Sequence, residues 1–214
     1  MTTLFFDLDG TLLNTQSGIG SSIQAALAEL GRDAVSDEEL RKCFGPPLRH
    51  SFRWMLESDD TALIAEAVAK FRRHYLSQGI YTYEIYPGIT ELLAQLSAKQ
   101  VEVRVLTAKP QSQAELLLEH SDLARFFNAI HGAEDSGVKS EKTTHLRSLL
   151  EAGDYASQYC WMIGDRAGDV LAAKANGVGA ITVQWGYGDV LELSQSGRDH
   201  HIESPDEILR LLAL

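Results

Sequence analysis

Leu4-Phe5-Phe6-Asp7-Leu8-Asp9-Gly10-Thr11-Leu12-Leu13 is the stretch whose reading decides the fold. Its leading apolar run reads as a buried strand, which ends on two carboxylates spaced i, i+2 and then on a glycine that permits an abrupt turn. Charges in that position do not build a core. Residues two apart on a strand face the same side, about 6 to 7 Å apart along the chain, so Asp7 and Asp9 address one region of space. Two like charges so placed invite a cation or a shared proton. Asp-Gly is also a common turn pair. What sets this one apart is its place at the carboxyl end of a strand, where open α/β sheets put their ligands.

The rest of the chain gives that strand its setting. After Leu13, Ile19, Ile23, Ala26, Leu27 and Leu30 recur at helical spacing and Gly31 ends the run. Ser36-Asp37-Glu38-Glu39 has the form of a capping box opening a short helix, which Gly45-Pro46-Pro47 breaks. Leu48, Phe52, Met55 and Leu56 mark a third helix, and Ile64, Ala67, Val68, Phe71 and Tyr75 a fourth closed by Gly79. Residues 15 to 80 therefore read as four helices with no strand between them.

Beyond them the pattern alternates. A helix through Ile89, Leu92, Leu93 and Leu96 follows Pro87-Gly88. Val101 to Leu106 is a strand ending at Thr107, and Pro110 suits the first turn of the next helix. Phe126 to Ile130 reads as a short strand before a helix through Leu146, Leu149 and Leu150. Tyr159 to Ile163 is a strand, Ala167 to Asn176 a helix stopped by Gly177, Ala180 to Val183 a strand, and Ser204-Pro205 opens a last helix. Such alternation indicates a doubly wound parallel-sheet (Rossmann-like) α/β core, here residues 1–14 and 81–214, with an inserted all-helical cap domain over 15–80. An insert at the ligand end of a sheet is placed to act as a lid.

Composition narrows the function. With 214 residues, 44% hydrophobic and 23% charged, the chain is an ordinary globular one. No apolar run approaches the roughly 18 residues of a spanning helix. Neither a basic region nor a cleavage-like site precedes Asp7, so the expected location is cytoplasmic. Cys43 and Cys160, far apart and in apolar contexts, read as reduced core residues. A net charge of −11 argues against a nucleic-acid face and requires any anionic substrate to find local positive charge. The seven histidines, His200-His201 among them, show no metal-site spacing and read as surface polarity.

Three strand ends carry the candidate chemistry: Asp7 with Asp9, Thr107 with Ala108, and Gly164-Asp165-Arg166-Ala167-Gly168-Asp169. All three gather at one rim of a parallel sheet. Oxygen-only ligation by Asp7, Asp9 and Asp165 favours Mg²⁺ over Zn²⁺. The Thr107 hydroxyl, the backbone N–H groups after it, starting at Ala108, and one lysine are candidates to hold a phosphoryl group. Asp7 is then the nucleophile, forming an aspartyl-phosphate, and Asp9 the general acid and base.

These residues resemble the four motifs of the haloacid dehalogenase superfamily, specifically its phosphatase branch. Phe44-Gly45-Pro46-Pro47-Leu48, Tyr86-Pro87-Gly88 and Trp185-Gly186-Tyr187-Gly188 further resemble phosphoglycolate phosphatases and their relatives. The resemblance implies that Asp7, Asp165 and the Asp9 backbone carbonyl are metal ligands and that Asp169 is a ligand or its support. It makes Gly10 and Thr11 further substrate-binding positions and implies a helical cap. An aspartate at position 9 is what separates phosphatases of this kind from dehalogenases. The motif lysine is Lys139 or Lys142; the spacing from Lys142 to Leu146, Leu149 and Leu150 favours the latter. Ala167-Gly168 stands where many relatives have a small residue and a histidine.

Other residues carry weaker readings. Arg49 is a candidate to hold a substrate carboxylate with its planar fork. Lys109 braces its loop or attracts phosphate, Arg166 orients Asp165 or faces solvent, and Trp185 and Tyr187 read as packing residues. The expectation is a Mg²⁺-dependent phosphomonoesterase acting on a small phosphorylated metabolite, with phosphoglycolate leading. Pyrophosphatase, nucleotidase and sugar-phosphate phosphatase activities are alternatives on the same core, and a phosphomutase is a further one. A non-catalytic phospho-ligand-binding protein is the alternative from another class. No nucleic-acid or membrane partner is expected, and the chain is expected to be a monomer or homodimer.

Overall fold

A computed structural model describes residues 2–45, 47–134, 141–153 and 155–213. It divides into two compact units, Met1–Asn14 with Ile85–Leu214, and Thr15–Glu84. Lys139 and Pro46, both singled out in the sequence, lie outside the described residues.

The first unit is built on β1 (Thr3–Phe6), every residue of which is buried. The chain leaves it through the two-residue β2 (Leu13–Asn14) and returns through β3 (Glu84–Ile85). The sheet then adds β4 (Glu102–Pro110), β5 (Ala129–Ala133), β6 (Cys160–Gly164), β7 (Gly179–Val183) and β8 (His200–Ile202). Its order is β5-β4-β1-β6-β7-β8, with every neighbouring pair parallel. The chain winds outward from β1 on one side and then crosses to the other, so β1, β4 and β6 flank the switch point where such sheets bind ligands. Register pairs Phe6 with both Val105 and Ile163. Asp7, Thr107 and Asp165 therefore follow the last aligned residues of three adjacent strands.

Helices supply the apolar cover that a parallel sheet needs on both faces. They are α5 (Ile89–Ala98), α6 (Gln111–His120), α7 (Lys142–Ala152), α8 (Ala167–Lys174), α9 (Val190–Gln195) and α10 (Glu207–Leu211). Phe5, Leu106 and Met162 of the sheet pack with Leu146 of α7 and Val170, Ala172 and Ala173 of α8 in one buried cluster, which includes Cys160. Both cysteines are free and buried.

The second unit carries α1 (Gln16–Glu29), α2 (Asp37–Arg41), α3 (Leu48–Met55) and α4 (Thr61–Ser77). The Ser36 capping box is present in full. This unit has its own core, in which Phe71 stacks on Tyr75 at 5.5 Å and meets Phe52 edge to face at 6.4 Å. Gly79 does more than close α4: it opens a 3₁₀ turn, Gly79–Tyr81.

Four sequence expectations need correction. β4 does not stop at Thr107 but runs to Pro110, with an irregular register against β5 between Leu106 and Pro110. Pro110 is consequently the N-cap of α6 and not part of its first turn. The strand expected at Phe126 to Ile130 lies at Ala129–Ala133, because Ala124–Phe126 forms a 3₁₀ turn. His200 and His201 belong to β8, where the Thr182 hydroxyl lies 2.9 Å from His201 Nδ1 and the His200 ring is 5.6 Å from that of Trp161. A three-residue strand with two histidines has no apolar run to announce it.

Candidate active site

Local backbone geometry aims the first carboxylates. The Asp7 N–H donates to the Ile163 carbonyl at 2.9 Å, continuing the β1–β6 ladder by one residue. The next residues turn sharply: the Thr11, Leu12 and Leu13 amides all donate to the Leu8 carbonyl, and the Gly10 N–H donates to the Leu13 carbonyl. Gly10 sits at φ +83°, and a Cβ there would fall 2.3 Å from an Asp165 carboxylate oxygen. Glycine is thus required both by the turn and by the carboxylate beside it.

Asp7, Asp165 and Asp169 each offer an oxygen within 4.8 Å of the others. Asp165 is fully buried and Asp169 nearly so. Asp165 is held from two sides: Thr11 Oγ1 donates to Oδ1 at 3.3 Å and the Tyr187 backbone N–H donates to Oδ2 at 2.7 Å. The loop after β7 reaches that close because residue 186 is glycine; a Cβ there would stand 2.2 Å from Asp165 Cβ and 2.5 Å from the Gly10 carbonyl. Trp185 Nε1 donates to the Thr11 carbonyl at 3.0 Å, tying the same loop to the first turn. Asp169, in the first turn of α8, accepts the Arg166 N–H at 3.0 Å. Glu192 of α9 accepts from Arg166 Nε at 2.9 Å and from the Ala167 N–H at 2.8 Å, bracing the loop between the two aspartates.

Lysine side chains divide the carboxylates. Lys142, the first residue of α7, places Nζ 2.9 Å from Asp7 and 2.5 Å from Asp169. Lys109 places Nζ 2.8 Å and 3.1 Å from the two oxygens of Asp9. The Asp9 carboxylate is therefore turned to Lys109 and is not in the three-aspartate cluster. Thr107 is buried on β4 and its hydroxyl oxygen accepts the Lys109 N–H at 3.2 Å, while Ala108 beside it is exposed. Arg49 is an exposed residue of α3 in the second unit.

Electrostatics follows from this crowding. Burial pushes the Asp7 carboxyl up to about 6, with Lys142 pulling it down and Asp169 pushing it up. Burial, then the Asp169 and Asp7 charges, push Asp165 up to about 8. Burial opposes the charge of Lys142 too, yet Asp169 and Asp7 outweigh it and hold the ammonium above its usual range. Four aspartates thus share two ammonium groups. An all-oxygen donor set with surplus negative charge fits a hard divalent cation of the Mg²⁺ type, which Asp7, Asp165 and Asp169 are placed to hold or support.

Of the residues proposed from sequence, Asp7, Asp165, Asp169 and Lys142 come together directly, Gly10 and Thr11 form the turn against Asp165, and Thr107 on β4 is bonded to Lys109, the partner of Asp9. The Tyr187 amide, Glu192 and the Lys109–Asp9 pair went unread. The Gly-x-Gly spacing of Gly186 and Gly188 after a strand was the available signal for the first, since it permits close backbone approach. Replacing Gly10 by alanine is expected to cost about 1 to 2 kcal/mol for the left-handed backbone alone, or roughly 2 to 8 °C in melting temperature. The displaced Asp165 carboxylate should also weaken Mg²⁺-induced stabilisation; thermal melts with and without the ion check both effects.

Comparison with known proteins agrees with this geometry. A family model described as haloacid dehalogenase-like hydrolase matches residues 4–183. A 5'-nucleotidase of Pseudomonas aeruginosa is 37% identical over 92% of this chain and 89% of its own length. A phosphoglycolate phosphatase of Pseudomonas syringae pv. syringae is 33% identical over 86% of this chain and 70% of its own. A putative phosphatase from Clostridium difficile superposes with a TM-score of 0.91 at 32% identity, covering 99% of this chain and 98% of that one. Over nearly all its strands and all three motif-bearing strand ends, the chain belongs to the haloacid dehalogenase-like hydrolase family.

Proposed function

We propose that the protein is a Mg²⁺-dependent phosphomonoesterase working through an aspartyl-phosphate on Asp7. The observation that carries this reading is the buried Asp7, Asp165 and Asp169 cluster with Lys142 bonded across it at the carboxyl end of β1 and β6. When bound, the cation supplies charge to balance the carboxylates and the phosphoryl oxygens. Asp7, Asp165 and the Asp9 backbone carbonyl are the proposed ligands, with Asp169 as ligand or support.

In the first half-reaction an Asp7 oxygen bonds to phosphorus as the bond from phosphorus to the leaving oxygen breaks. Asp9 gives that oxygen its proton. In the second, Asp9 takes a proton from water, whose oxygen bonds to phosphorus as the Asp7–phosphorus bond breaks. Inorganic phosphate leaves and both carboxylates return to their starting states. Lys142 and the Thr107 hydroxyl, with the amide of Ala108, hold the phosphoryl oxygens, and Gly10 and Thr11 shape the turn that follows the nucleophile.

Substrate choice is assigned to the helical unit, where Arg49 is the candidate for a substrate carboxylate. Phosphoglycolate is the leading substrate, supported by the similarity to phosphoglycolate phosphatases; a nucleoside 5'-monophosphate is the second, supported by the similarity to a 5'-nucleotidase. Phosphate release by purified protein with Mg²⁺ is expected from at least one member of a panel of phosphoglycolate, nucleotides, sugar phosphates, pyrophosphate and p-nitrophenyl phosphate. No release from any of them overturns the enzyme reading in favour of a binding protein.

A further inference from the structure

We infer that Lys109 is a positioning residue for Asp9, fixing the carboxyl group that hands a proton to the leaving oxygen; this rests on the phosphomonoesterase reading above. The ammonium meets both Asp9 oxygens, at 2.8 and 3.1 Å, which fixes the orientation of the ionised carboxylate as well as its distance; when Asp9 carries its proton, one oxygen can still accept from Lys109 while the O–H is left to the leaving oxygen. Lys109 has only 5% of its side chain exposed, against 24% for Asp9. A lysine stem so enclosed has lost most of its rotamer freedom, and its charge stands at a nearly fixed point. Its backbone is fixed as well, through the N–H donated to Thr107 Oγ1.

This lysine is separate from the motif lysine. Lys142 is engaged by Asp7 and Asp169, on the nucleophile's side of the site, whereas Lys109 is engaged by Asp9. The irregular end of β4 serves this arrangement. Had the strand ended at Thr107, Lys109 would start a loop; its continuation to Pro110 holds Lys109 in the sheet layer, one hundred residues along the chain from the aspartate it bonds.

A positioning role differs from a merely structural one in its chemical consequence. Expulsion of an alkoxide needs the proton that Asp9 delivers as the bond to phosphorus breaks. Expulsion of p-nitrophenolate, an anion stable near neutral pH, depends far less on it. Misplacing Asp9 therefore penalises alkyl phosphates more than aryl ones, whereas a loss of folded protein lowers both equally.

The experiment measures kcat/KM with Mg²⁺ for the best alkyl phosphate of the panel and for p-nitrophenyl phosphate, on the same preparations of wild type, Lys109→Met and Lys109→Arg. The alkyl-to-aryl ratio cancels any difference in active fraction. In Lys109→Met this ratio is expected to fall at least about tenfold, within the usual worth of a positioned acid. Lys109→Arg, which keeps the charge, should recover part of it. Should Lys109→Met fail to fold, Lys109→Gln is read the same way. An unchanged ratio overturns the positioning role while leaving the phosphomonoesterase reading intact. A wild-type protein inactive on both esters overturns that reading, and this inference with it.

Discussion

Asp7→Asn is expected to lower kcat by about 10⁴-fold or more on every substrate of the panel, while the protein still folds. The substitution keeps the shape of the side chain and an oxygen able to accept the Leu8 N–H, which Asp7 Oδ1 accepts at 2.7 Å. Lys142 is not left unpaired, because Asp169 Oδ1 remains 2.5 Å from it. The usual cost of stripping one partner from a buried ion pair is thus blunted by the second carboxylate. An amide cannot form the bond to phosphorus, so the loss falls on chemistry and not on structure. Removing one carboxylate from a crowded set even relieves repulsion on Asp165, whose carboxyl Asp7 helps push upward. Steady-state kinetics beside a thermal melt separates the two effects. Residual activity above about a hundredth of wild type would move the attack from Asp7 to water and reassign Asp7 to metal binding alone.

That prediction rests on a part of the chain that was legible from the start. The Leu4 to Leu13 stretch could be read because a buried apolar run, two carboxylates and a glycine leave few physical alternatives. The three strand ends could be placed on one rim because parallel alternation fixes direction. Lys142 could be singled out by its spacing from Leu146, Leu149 and Leu150, and it does bond Asp7. What escaped was whatever carries no side-chain signature or depends on the third dimension. The Tyr187 amide that holds Asp165 belongs to the backbone, so the letter at position 187 says nothing of it. Glu192 lies on a six-residue helix too short to show a period, and its bond to Ala167 spans 25 residues. The pairing of Lys109 with Asp9 joins residues one hundred apart at the irregular end of β4, and propensity foretells neither.

The second large effect concerns the cation and pH together. Burial and the neighbouring charges push Asp165 from the ordinary 3.8 up to about 8, and Asp7 up to about 6. Between the unfolded and folded values, the folded chain holds a proton that the unfolded chain has released. Its stability is therefore greatest below about 4 on this account and is lost as pH rises, through about 6 for Asp7 and about 8 for Asp165. In the presence of EDTA the melting temperature should fall between about pH 6.5 and pH 8, where Asp165 still gives up its proton and the half-buried His131, held down to about 4 in the folded chain, has ceased to oppose it. A bound dication offsets the surplus negative charge and favours the ionised carboxylates, so saturating Mg²⁺ should flatten that fall. At a hundredfold excess over Kd the ion adds about 2.7 kcal/mol, or roughly 5 to 10 °C for a chain of this size. Asp165→Asn removes the group that titrates highest. It should raise the melting temperature in EDTA at pH 8, abolish most of the Mg²⁺ shift and, with it, turnover. If the EDTA and Mg²⁺ curves of the wild-type protein coincide at pH 8, the three aspartates do not form a cation site. Their crowding would then be relieved by protons alone.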